Sequence, residues 1–218
     1  DNGIFFYNRA ATWNALGEQE KAAEDYDQAI ELDPADGFAY KSRSDIMTKL
    51  GYYDDAIADC DKALELNPND SDTYFYRASA YAAKGEGDKA FADLDKSLEL
   101  DPRNTEAYNN RGFYLLSRGE YERSIPNFTK AIELAPDVAR YYNNRGNALA
   151  AAGEMEKAMT DLNKAVELDP RHAEAYYSRG FSYGRLGNQR QETNDYREAA
   201  KLGSRDAQEL LKGRGMTW

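Results

Sequence analysis

The chain has 218 residues, with 39 acidic and 28 basic side chains and a formal net charge of -11. That balance is repelled by phosphate backbones and anionic lipid surfaces and argues against nucleic acid as a partner. No apolar stretch approaches the roughly 20 residues of a membrane-spanning helix, so a soluble chain is expected, and the lone Cys60 rules out an internal disulfide.

Pro34, Pro68, Pro102, Pro136 and Pro170 recur every 34 residues, which makes the chain one supersecondary unit copied along its length, a single array rather than two domains. With each proline at position 32, the repeats run 3–36, 37–70, 71–104, 105–138, 139–172 and 173–204. Position 15 is glycine in all six: Gly17, Gly51, Gly85, Gly119, Gly153 and Gly187. Glycine suits the left-handed residue that closes a helix, so each repeat is expected to hold two helices. Ahead of it, an aromatic at position 4, a small residue at 8 and a bulky one at 11 share one helix face. Behind it, small residues at 20 and 27 with leucine at 30 let the second helix approach closely.

Along the chain, the first repeat opens with Ile4, Phe5, Phe6 and Tyr7, an apolar run that no earlier repeat covers. A segment upstream of Asp1 is the expected cover, because the chain lacks an initiator methionine, and self-association is the alternative. In the second repeat Cys60 stands where the others carry Tyr26, Leu94, Phe128, Leu162 and Tyr196, and is expected to be a buried, inert hydrophobe. In the fourth, Pro126 falls within the second helix, where it removes a hydrogen bond, so that helix is expected to start late, at Ser124. His172 lies in the turn before the sixth repeat, at an expected helix start. There Glu192 takes the small position 20 and Ser204 replaces the proline. Ala207, Leu210 and Leu211 form a stripe behind Ser204, predicting a capping helix over 205–212. Residues 213–218 form a tail in which Trp218 either folds back or stays exposed.

Position 7 is arginine throughout (Arg9, Arg43, Arg77, Arg111, Arg145, Arg179), and position 23 answers with Asp25, Asp59, Asp93, Asn127, Asp161 and Asp195. A guanidinium packed between helices needs a planar acceptor, so an internal ladder is expected. The functional alternative is a row of cations for an anionic ligand.

Aromatic 4, small 8, bulky 11, Gly 15, small 20, apolar 24, small 27 and Pro 32, repeated in register over about residues 3–203, resemble the tetratricopeptide repeat. That resemblance implies an all-α, right-handed superhelical α-solenoid of antiparallel helix pairs with a C-terminal capping helix, and a non-catalytic role in holding protein partners. It also implies a concave face built from positions 2, 5, 6, 9, 12 and 13 of the first helices. The candidate peptide-binding residues on that frame are Lys41, Phe75, Tyr76, Asn109, Asn110, Phe113, Asn143, Asn144, Asn147, Tyr177, Phe181 and Arg185. The asparagines can donate and accept at once, which suits the backbone of an extended peptide or partner helix, while the aromatics supply apolar pockets. Asn110 and Asn144, both at position 6, resemble two rungs of the asparagine ladders of peptide-binding members. The two-carboxylate clamp of chaperone-binding members is broken, since Lys41 is followed by Asp45, Tyr76, Glu106 and Asn110.

No catalytic residue, metal or cofactor is expected. His172 is the only histidine, the glycine pairs Gly85 with Gly87 and Gly213 with Gly215 lack the strand context of a nucleotide site, and the carboxylates are periodic. The expected function is a protein-interaction scaffold binding in the concave groove. The alternative is a spacer or assembly subunit that contacts partners through its ends, with Ile4 to Tyr7 as interface. The compartment stays open between the cytoplasm and export as a mature chain.

Overall fold

The computed structural model describes residues 2–218. Among the described residues thirteen helices follow one another with no strand: α1 (Asn2–Ala15), α2 (Gln19–Leu32), α3 (Gly37–Leu50), α4 (Tyr53–Leu66), α5 (Ser71–Lys84), α6 (Gly87–Leu100), α7 (Thr105–Ser117), α8 (Tyr121–Leu134), α9 (Ala139–Ala151), α10 (Met155–Leu168), α11 (Ala173–Arg185), α12 (Gln189–Lys201) and α13 (Arg205–Gly213). None is long and apolar enough to cross a membrane.

Two kinds of turn set this alternation. Within a repeat, α3 closes on Gly51 at φ 87°, whose N–H reaches Thr48 O at 3.1 Å while the Tyr52 N–H reaches Met47 O at 2.9 Å. The left-handed residue satisfies the last carbonyls and reverses the chain, and a Cβ would strain it. Between repeats, polar side chains cap the next helix. Asp36 accepts from the Phe38 and Ala39 N–H groups at 2.9 and 3.3 Å, Asn104 Oδ1 from Ala107 at 3.0 Å, and His172 Nδ1 from Ala175 at 3.2 Å. Ser204 caps α13 in the same way, accepting from the Ala207 N–H at 3.3 Å.

The chain divides into two compact units, the first ending at Ala107 and the second beginning at Tyr108, inside α7. In the first, α1 with α2, α3 with α4 and α5 with α6 pack as antiparallel hairpins, α2 lies on α3, and α4 lies on α5. In the second, α9 with α10 and α11 with α12 form hairpins, α8 lies on α9, α10 on α11, and α13 covers α12. Each core joins the small residue at position 8 to the larger one at 24. Ala10 meets Tyr26 in the first unit. In the second, a Cβ on Gly112 would lie 2.8 Å from the Phe128 ring, and one on Gly146 the same distance from Leu162 Cγ. Cys60 is completely buried at its position 24, and burial pushes its thiol up to about 12.

One expectation is corrected. Helix α8 begins at Tyr121, not Ser124, and carries Pro126 inside it. The Arg123 and Ser124 N–H groups already bond Glu120 O at 3.1 and 3.0 Å, so the helix is established before the proline arrives. The one carbonyl that loses its partner belongs to Glu122, which is exposed, as is Pro126, and solvent can replace that bond. Ser124 is instead a fully buried small residue whose Oγ donates to Tyr121 O at 2.7 Å.

At the ends, the apolar run splits. Phe6 and Tyr7 pack on Ala29, Ile30 and Ala39, whereas Ile4 and Phe5 are 61% and 56% exposed. Trp218 is exposed.

Candidate functional site

The repeated arginines are structural. Arg43 donates from Nε and Nη2 to Asp59 at 2.8 and 2.6 Å, and from Nη1 to Asp27 at 2.6 Å. Arg77 grips Asp93 at 2.7 Å through both nitrogens and Asp61 at 2.6 Å. Each guanidinium thus holds position 23 of its own repeat bidentately and spends its remaining edge on position 25 of the repeat before. Arg145 and Arg179 follow the same plan with Asp161 and Asp195, but their second acceptors are neutral: Thr129 Oγ1 at 3.2 Å and Asn163 Oδ1 at 3.1 Å. The position-4 rings of Tyr40, Tyr74, Tyr142 and Tyr176 lie 5.4 to 5.9 Å from these cations. Hydrogen bonding to Asp59 outweighs burial and holds the Arg43 guanidinium well above its ordinary value. At the first rung, hydrogen bonding from Arg9 holds the Asp25 carboxyl below its own.

In the first unit, the groove candidates are Lys41, Phe75 and Tyr76. Lys41 Nζ lies 2.9 Å from Asp70 and 3.6 Å from Asp72, and 5.0 Å from the Phe38 ring, so its charge is spent within the unit. Phe75 and Tyr76 pack edge to face at 5.8 Å and are half-buried.

The second unit holds the asparagines. Asn143 Nδ2 donates to Asn144 Oδ1 at 3.4 Å, Asn144 Nδ2 to Asn109 Oδ1 at 2.8 Å, and Asn109 Nδ2 to Asn110 Oδ1 at 3.2 Å. The four form one directed chain across α7 and α9. Asn109 and Asn143 are buried, while Asn110 and Asn144 keep part of their surface, so the inner pair fixes the outer pair. Asn143 Oδ1 is buried with no partner. Asn147, one turn beyond Asn143, is half-buried, and the Phe113 ring is 58% exposed.

Tyr177, Phe181 and Arg185 converge on a cavity of about 340 Å³ with Glu192, Tyr196 and Arg214. Phe181 is exposed, Tyr177 packs on Tyr196 at 5.3 Å, and Arg185 Nη1 donates to Ala150 O at 3.2 Å. The floor was not foreseen. Glu192 accepts from Arg214 at 2.8 Å, and a Cβ at Gly184 would sit 2.9 Å from the Glu192 carboxyl carbon. The acid at position 20 was visible in the sequence as a departure from the small residues elsewhere. Its partner, in the non-repeating tail, was not.

Models of the tetratricopeptide repeat match residues 4–36, 37–70, 60–91 and 105–138, and a TPR repeat model matches 146–187. The chain belongs to the tetratricopeptide-repeat family. No curated protein matches it. Solved tetratricopeptide folds do. MamA (residues 41 to the end) from Desulfovibrio magneticus RS-1 is 24% identical with a TM-score of 0.68, covering 76% of this chain and 94% of MamA. YrrB, a TPR protein with an unusual peptide-binding site, is 24% identical with a TM-score of 0.67, covering 87% and 99%. The Cut9–Hcn1 hetero-tetramer of the APC/C gives a TM-score of 0.87 at 17% identity over 97% of this chain and 42% of that one. At these identities the likeness bears on the fold, an all-α tetratricopeptide solenoid.

Proposed function

We propose that this tetratricopeptide array is a non-catalytic scaffold that holds an extended polypeptide segment by its backbone, centred on the asparagine chain of α7 and α9. The observation that carries this reading is the half-buried Asn110 and Asn144 locked in orientation by the buried Asn109 and Asn143. Amides already fixed lose little entropy on binding and present both a donor and an acceptor, the complement of a peptide unit whatever its side chains. Asn147 continues that face. Exposed Phe113 and Phe181 offer apolar contacts beside it, with Tyr177 and Arg185 bordering the second ring. YrrB, with its peptide-binding site, supports the same class.

The test is selection from a displayed library of random peptides, followed by titration of a selected peptide against the parent and against a chain carrying Asn110→Ala and Asn144→Ala. Loss of two hydrogen bonds predicts an affinity drop of about tenfold or more, with the helical circular dichroism unchanged. Undiminished binding by the double variant discards the groove. It then favours contact through the end of the array, for which exposed Ile4 and Phe5 are the candidate surface, and Ile4→Lys with Phe5→Lys would abolish binding instead.

A further inference from the structure

Between α8, α9 and α10 lies a cavity of about 400 Å³ lined by Ile125, Thr129 and Leu149, by the cations Arg145 and Lys157 and by their paired carboxylates Asp161 and Glu154, within the range of small-ligand pockets, about 300–1,000 Å³. It exists because two positions that are filled around other rungs of the ladder are both short here. Arg43 and Arg77 meet a carboxylate at position 25, Asp27 and Asp61, and Arg179 meets Asn163. Arg145 meets only the Thr129 hydroxyl, at 3.2 Å, and that hydroxyl already donates to Ile125 O at 2.9 Å. At position 11, the Tyr81 and Tyr183 rings reach to 6.0 Å from their guanidinium groups, whereas the fifth repeat carries Leu149. What remains is a guanidinium edge facing open space over an apolar floor of Ile125 and Leu149, with Lys157, paired to Glu154, also in the lining.

We propose that this cavity binds a small carboxylate carried on a short branched aliphatic body. The carboxylate takes the place that Asp27 and Asp61 occupy beside Arg43 and Arg77, and the aliphatic body lies on Ile125 and Leu149. Electrostatics allow it. Arg145 has one carboxylate, Asp161, where Arg43 and Arg77 each have two, so adding one acid reproduces a balance that the fold already maintains elsewhere. A charge-assisted pair with a half-buried guanidinium discriminates an acid from its neutral isostere. A free branched-chain acid and the C-terminal leucine of a polypeptide share this chemistry. The site has no residue in common with the asparagine chain, and the groove can fail without it.

Protein labelled at arginine Nε and at leucine, isoleucine and threonine methyl groups would be titrated with isovalerate, isovaleramide, and acetyl-glycyl-leucine with a free or an amidated C-terminus. The expected result is a saturable shift of the Arg145 Nε–H and Leu149 methyl signals with an acid and not with its amide. Response to isovalerate assigns the site to free acids; response to the peptide acid alone assigns it to a polypeptide C-terminus. In Thr129→Asp, which supplies a tethered carboxylate as Asp61 does, affinity should fall about tenfold or more. Leu149→Tyr should fill the cavity and remove binding. Both substitutions restore residues that other repeats carry at these positions, and melting temperatures at or above the parent's will show that the loss is not unfolding. No saturable shift with either acid, equal response to the amides, or full affinity in Thr129→Asp overturns the site.

Discussion

The two compact units run the same ladder in different electrical surroundings. In the first, Arg43 and Arg77 each lie between two aspartates, Lys41 is held by Asp70 and Asp72, and Lys49 pairs with Asp45 at 2.6 Å. In the second, Arg145 and Arg179 have one carboxylate and one neutral acceptor, and the positions proposed for recognition are asparagine amides and exposed aromatic rings. Position 23 is what the fold requires, because it joins the two helices of a repeat. Position 25 is the adjustable one: a carboxylate there saturates the arginine, and a short neutral side chain leaves donor capacity and space.

The largest expected effect breaks this comparison at its strongest point. Arg77→Ala strands Asp93, only 7% exposed, together with Asp61, and loss of one partner of a buried pair costs about 3–5 kcal/mol. Arg145→Ala strands Asp161 alone and should cost less in the same urea titration. Equal losses would mean that position 25 carries no energetic weight.

A smaller effect comes from position 8. Gly146→Ala forces a Cβ to within 2.8 Å of Leu162 Cγ, and Gly112→Ala to the same distance from the fully buried Phe128 ring. Overpacking of this kind costs about 1–3 kcal/mol. In the first unit Ala10 and Ala78 already carry that Cβ, so Ala78→Gly meets no overlap and should lose about 1–2 kcal/mol, the propensity difference plus one buried methyl. Thermal denaturation of the three variants checks the order.

The smallest effect is pH-dependent. Asp25 is held below its usual value of about 3.9 by hydrogen bonding from Arg9. Its contribution is therefore complete above that value and lost as the pH falls through the lower native one. Asp25→Asn should be less stable than the parent at neutral pH, with the gap closing below about pH 3.9. A gap that persists in acid would refute the charged pair. The fourth repeat carries this substitution naturally, with Arg111 Nε donating to Asn127 Oδ1 at 2.6 Å.

What was legible in the sequence was whatever had to recur. Helix pairs, closing glycines and the pairing of positions 7 and 23 repeat because every repeat meets the same neighbours. Contacts between repeats were less legible. The second acceptor of each arginine lies as far behind it as the first lies ahead, 16 residues each way, and periodicity alone does not separate the two. Lys41, a groove candidate, pairs with Asp70 at the start of the next repeat, a partner 29 residues away that the repeat spacing does not single out. Asn109 and Asn143 sit at the same repeat position as exposed candidates would, yet neighbouring side chains bury them. Pro126 misled because its penalty falls on an exposed carbonyl. The cavity beside Arg145 is defined by side chains that are small, and smallness at two positions 20 residues apart is not a motif.

The equal spacing on either side of each guanidinium also bears on how such a chain grows. A copy of any repeat inserted in register brings an arginine that finds an acceptor behind it in the older repeat and another inside itself, and it offers its own position 25 to the arginine that follows. Duplication of whole repeats therefore keeps both acceptors of each arginine, while an insertion of any other length at a seam would cost the arginine its exposed position-25 acceptor and leave the buried position-23 pair, which lies within one repeat, intact.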